Sequence, residues 1–98
     1  MLISIVDTRT QRRLILEGKI IAPWTAELRA TCERARAGLD GRELIIHVRY
    51  PTAVSQEGEN VLLELMNEGI KFRGSGVFSR HLLAQLARRK RKNGREKK

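Results

Sequence analysis

The side chains that could do chemistry are few, and their spacing limits what they could do. His47 and His81 lie far apart in the chain, and neither has Cys, Asp or Glu at metal-ligand spacing, so no metal site is expected. Cys32 is the single cysteine. It has no partner for a disulfide, which suits a reducing compartment, and the expected location is the cytoplasm. As a nucleophile it would need a nearby base; on an apolar helical stripe it reads as a small packed hydrophobe. Gly74-Ser75-Gly76 precedes a helical pattern, where backbone N–H groups can cradle phosphate. It lacks the Lys and spacing of a P-loop and the third Gly of a dinucleotide fingerprint, and it reads as a flexible turn. No Ser, His and Asp set, paired carboxylates or nucleotide motif is present. The expectation is a chain that is not an enzyme and takes no cofactor.

The elements that must position these residues follow from apolar periodicity. Residues 2–6 and 13–16 are short Ile-, Leu- and Val-rich runs around a polar stretch, which predicts a hairpin. Pro23 suits a first helical turn, and Trp24, Leu28, Cys32 and Ala35 then mark one side of a helix that stops near Gly38. Trp24 is expected to anchor the core. Residues 44–48 form a continuous, mostly β-branched run, the pattern of a central strand covered on both faces. Ser55 reads as an N-cap, with Glu57 and Glu59 in the first turn, where the helix dipole favours negative charge. Val61, Leu62, Leu65 and Met66 supply that helix's buried stripe, and Gly69 ends it. Residues 70–73 are a brief fourth strand, and Leu82, Leu83, Leu86 and Ala87 mark a last helix. Helices alternating with strands after an opening hairpin predict a small α/β sandwich, a four-stranded mixed sheet packed with three helices.

The order of elements, the segment Leu14-Ile15-Leu16-Glu17-Gly18-Lys19-Ile20 and above all residues 44–65 resemble a STAS domain of the anti-sigma factor antagonist type. Members of that family commonly read an apolar strand ending in Asp, eight residues on a second Asp, then Ser, a small residue, Gly and an apolar helix. In that frame, without a gap, His47 falls at the first Asp, Ser55 at the second, Gln56 at the serine that a partner kinase phosphorylates, and Gly58 at the glycine. The resemblance covers roughly residues 2–87 and implies a STAS-like sandwich that docks a bacterial regulatory protein, such as an anti-sigma factor or a signalling kinase. Phosphorylation there would add ~1.5 to 2 negative charges and disrupt docking. Gln56 has no hydroxyl to accept phosphate, and both acidic positions are neutral, so the switch is expected to be lost. Ser55 reads as a helix cap before it reads as a displaced phosphosite. The implied partner face is Arg49, Tyr50, Ser55, Gln56, Glu57 and Glu59.

Ninety-eight residues make one domain, and 41% hydrophobic and 32% charged residues fit a soluble, foldable chain. No apolar run approaches a transmembrane length, and Asp7 cuts the first one short of a signal core, so neither membrane insertion nor a targeting segment is expected. The net charge of +9 is concentrated at the end. Residues 88–98 hold eight basic residues and one acid, or +7, against +2 for residues 1–87. The predicted organisation is therefore a domain over residues 1–87 and a basic tail over 88–98, projecting and at least partly disordered. Its Arg88, Arg89, Lys90, Arg91, Lys92, Arg95, Lys97 and Lys98 would attract nucleic-acid phosphates without reading sequence, the alternative role for the chain. Attachment to anionic lipid is the weaker reading, and a purely solubilising end the plainest.

Overall fold

The computed structural model describes residues 1–96, and side chains over residues 1–90. Strands β1 (Leu2–Asp7) and β2 (Gln11–Ile20) form an antiparallel hairpin closed by Thr8, whose N–H donates to the Gln11 carbonyl at 2.8 Å. Helix α1 (Trp24–Ala37), strand β3 (Glu43–Val54), helix α2 (Gln56–Asn67), strand β4 (Lys71–Ser75) and helix α3 (Val77–Glu96) follow. The sheet runs β1-β2-β3-β4, with β2, β3 and β4 mutually parallel. This is the expected α/β sandwich with a four-stranded mixed sheet and three helices.

One apolar layer holds it together. Leu14, Leu16 and Ile20 of β2 and Leu44, Ile46 and Val48 of β3 meet Leu28, Cys32 and Ala35 of α1, Val61, Leu62 and Leu65 of α2, and Leu82 and Leu86 of α3. All three helices thus pack on the face of the sheet to which the even-numbered residues of β3 point. Burying each large aliphatic side chain is worth about 1.5–3 kcal/mol. Arg12 fastens the hairpin to this layer: its guanidinium donates to both Asp7 carboxylate oxygens and to the Ala35 carbonyl, a free acceptor in the last turn of α1. Arg29–Glu64 and Arg36–Glu68 ion pairs tie α1 to α2.

Four expectations are corrected. The central strand β3 is covered by helices on one face only. Ile45, on the other face, is nevertheless 1% exposed, because Arg13 of β2 and Lys71 of β4 flank it in register and long aliphatic stems shield an apolar neighbour. Trp24 is not a core anchor but is 46% exposed; Thr25 takes the inward position, and residues 25, 28, 32 and 35 keep the same helical stripe. The glycine-serine-glycine joint is narrower than expected, since Gly74 and Ser75 belong to β4 and Gly76 alone turns the chain, at φ +88°. The basic tail continues α3 as helix to Glu96 instead of leaving it at residue 88. Unbranched Lys and Arg are good helix formers, and cations are favoured at a helix C-terminus. Lys97 and Lys98 lie outside the described residues.

Candidate functional site

The start of α2 is built on the last residue of β2. The Ile20 carbonyl accepts the Ser55 N–H at 3.2 Å, which pins the chain leaving β3 at the point where the helix begins. Ser55 is extended (φ −80°, ψ 170°), and its Oγ accepts the Gly58 N–H at 3.0 Å, satisfying one of the otherwise orphaned first-turn donors. Gly58 is buried, and a β-carbon there would fall within 3.0 Å of the Ile20 carbonyl oxygen. A close approach of helix to strand therefore explains the glycine.

Gln56, the first helical residue, is exposed, and its Nε2 donates to Asn60 Oδ1 at 3.1 Å one turn on. Glu57 is exposed beside it and accepts from Thr25 Oγ1 at 3.1 Å across the α1–α2 groove, a cleft of about 340 Å³ lined by Thr25, Glu57, Asn60 and Glu64. The surface offers an amide, a carboxylate held by a threonine hydroxyl, and a groove. Glu59 departs from the expected face: it is half-buried and pairs with Arg89 of α3 at 3.3 Å.

Arg49 and Tyr50 are not brought to this surface. Leu16 pairs with Val48 and Gly18 with Pro51, so one residue of β2 faces two of β3, and the bulge falls at Arg49–Tyr50. Tyr50 takes the left-handed conformation (φ +50°), is 68% exposed, and lines a cleft of about 370 Å³ with Thr52, Gly76 and Phe78. Four strand residues separate it from Ser55, which puts the two about 16 Å apart along extended chain. Arg49 lies on the helix-free face, where its guanidinium pairs with Glu17 at 3.4 Å.

That helix-free face joins His47 and Arg49 to three cations the sequence reading did not single out, Arg13, Lys71 and Arg73. His47 lies level with Ile15 of β2 and Arg73 of β4, and its Nε2 is 2.5 Å from Ser75 Oγ. Burial, and then the charges of Arg49, Arg13 and Arg73, hold the imidazole pKa below its ordinary value. Lys71 pairs with Glu43 at 2.7 Å, and Arg13 Nε donates to the neutral Gln11 Oε1 at 3.1 Å. The signal was in the alternation: Arg13, Ile15 and Glu17, then Ile45, His47 and Arg49, then Lys71 and Arg73 are spaced by two, which puts them on one face of a sheet.

The remaining candidates are placed more simply. Cys32 is 1% exposed in the core, and burial raises its thiol pKa to about 11, far from a nucleophile's range. Arg88 and Lys90 are exposed on α3, whereas Arg89 is half-buried against Glu59; Arg91, Lys92 and Arg95 lie on the same helix. Among the described residues, no three of His, Cys, Asp and Glu gather as metal ligands, and no helix is long and apolar enough to cross a membrane. Compared with family models, curated proteins and solved structures, the chain matches none.

Proposed function

We propose that this chain is a noncatalytic, STAS-like docking module of bacterial regulation, acting in the cytoplasm on a protein partner such as an anti-sigma factor or a signalling kinase. The observation that carries the reading is the exposed amide of Gln56 at the first position of α2, the place where the family it resembles keeps its phosphorylated serine. The neighbouring Ser55 Oγ is engaged as the helix cap, which favours a structural role for that residue over a phosphosite. The contact surface comprises Gln56, Glu57 and the groove against Thr25 and Asn60, with Ser55 as its support. The test is to use the full chain as bait in a lysate of its native cells, with wild type and Gln56→Arg side by side, and to search Ser55 for phosphate by mass spectrometry. A partner retained by the wild type and lost by the variant, with Ser55 unmodified, is the expected result. Equal retention by both chains, or high phosphate occupancy at Ser55, overturns it.

Nonspecific nucleic-acid binding by the basic run remains the second reading, favoured by one observation. Its helical continuation holds Arg88 and Lys90 as exposed cations on an ordered element. Neutralising both to Gln in the full chain should weaken salt-sensitive retention on duplex DNA.

A further inference from the structure

The helix-free face of the sheet gathers Arg13 of β2, His47 and Arg49 of β3, and Lys71 and Arg73 of β4, and we propose that it is a binding surface for the phosphate backbone of a nucleic-acid strand. The charge is arranged for an anion. The two carboxylates on this face are taken, Glu17 by Arg49 and Glu43 by Lys71. Arg13 and Arg73 stand on either side of β3 with no carboxylate partner among the described residues. Each guanidinium offers a planar fork of donors that suits phosphate oxygens. His47, in the row of Arg73 and held by Ser75, adds a polar centre between them.

The spread of the cations selects the class of ligand. Arg13 is level with Ile45 and Arg73 with His47, two residues further along β3, about 7 Å at the rise of a strand. From β2 to β4 is two strand spacings, about 10 Å. One phosphate cannot span these groups, whereas successive phosphates of a backbone laid across the sheet can. A protein partner fits less well, because interface anchors are chiefly Trp, Tyr and Arg in buried pockets, and this flat face has no aromatic residue at its register positions. The same lack removes base stacking, so the contact is with backbone and indifferent to sequence. This surface lies on the opposite side of the sheet from the layer that contains α2 and α3, and it needs neither the docking surface nor the basic end of α3.

The experiment measures binding of the full chain to a fluorescent oligouridylate and to a DNA duplex over a salt series, for wild type, Arg13→Gln/Arg73→Gln and Arg88→Gln/Lys90→Gln. The sheet variant should bind about tenfold more weakly at low salt. Its plot of log affinity against log salt should flatten by about 1.4 on the single strand or about 1.8 on the duplex, the loss of two phosphate contacts. Arg13→Lys/Arg73→Lys, which keeps the charge, should restore most of the affinity, and unchanged circular dichroism of both variants excludes unfolding as the cause. Wild-type affinity and slope in the sheet variant, loss confined to the α3 variant, or no binding of either probe by the wild type overturns the proposal. So does a face that binds an acidic protein while both nucleic acids fail.

Discussion

Gly58 rests against the carbonyl oxygen of Ile20 with no room for a β-carbon between them. That contact sets how closely α2 approaches the end of β2, and with it the position of Gln56. Gly58→Ala must push the helix off the strand and should destabilise the fold by about 2–3 kcal/mol in urea denaturation. Gly69→Ala, at φ +94° with open space around it, should cost only about 1–2 kcal/mol. Equal losses at the two sites would show that backbone conformation, not the Ile20 contact, is what Gly58 serves.

Ser55 separates capping from signalling. Ser55→Ala should lose about 1 kcal/mol, since the Gly58 N–H loses its acceptor. Ser55→Asp should keep nearly full stability, because Asp also caps and its charge suits the helix N-terminus. Urea midpoints that fall equally for Ala and Asp would remove the capping role.

His47 should make stability depend on mildly acidic pH. Its folded pKa lies below the ordinary 6.5, so as pH falls through that value the unfolded chain takes up a proton before the folded one does. Stability should therefore decline from about pH 6.5 downward until the folded pKa is passed. His47→Gln should abolish this slope in chemical denaturation between pH 7.5 and 5, and Arg73→Gln should move the His47 titration upward by NMR.

Tyr50 bears strain in the left-handed region, where a bulky side chain is disfavoured. Tyr50→Gly or Tyr50→Asn should raise stability by about 1 kcal/mol, measured by thermal or urea unfolding, because most of the ring is already in solvent. A destabilised Tyr50→Asn would mean that the ring's contacts near Phe78 outweigh the backbone cost.

Cys32 should be silent towards thiol reagents in the folded chain. With its pKa near 11 and 1% exposure, labelling at pH 8 should proceed only as fast as unfolding exposes it, and should accelerate in urea. Rapid labelling in native buffer would contradict its placement in the core.

What could be read from the sequence was whatever a local pattern decides. The hairpin, the end of α1 at Gly38, the cap at Ser55 and the turn at Gly69 each depend on a few adjacent residues. Trp24 was misplaced because spacings beginning at residue 24 or 25 describe nearly the same helical stripe. A hydroxyl bond from Thr25 to Glu57, far away in sequence, marks which residue turns inward. Arg49 left the expected face because it alternates with Ile45 and His47 along β3, whereas Tyr50 was turned out by a bulge, and bulges arise from pairing between strands. Glu59 was drawn away by Arg89, thirty residues on. The helix-free face was hidden by Ile45, whose burial comes from its flanking side chains and not from a covering layer.

β4 has a further consequence through its place at the rim of the sheet. An unpaired rim offers a ladder of N–H and C=O groups to any passing extended chain, the usual beginning of self-association into fibrils. Here the rim is five residues long, two of them cations, with a glycine before its last residue. A strand this short and charged is poorly suited to recruit another, so the side chains that would meet phosphate also discourage pairing along the β4 edge, a protection that β1 at the opposite edge does not share.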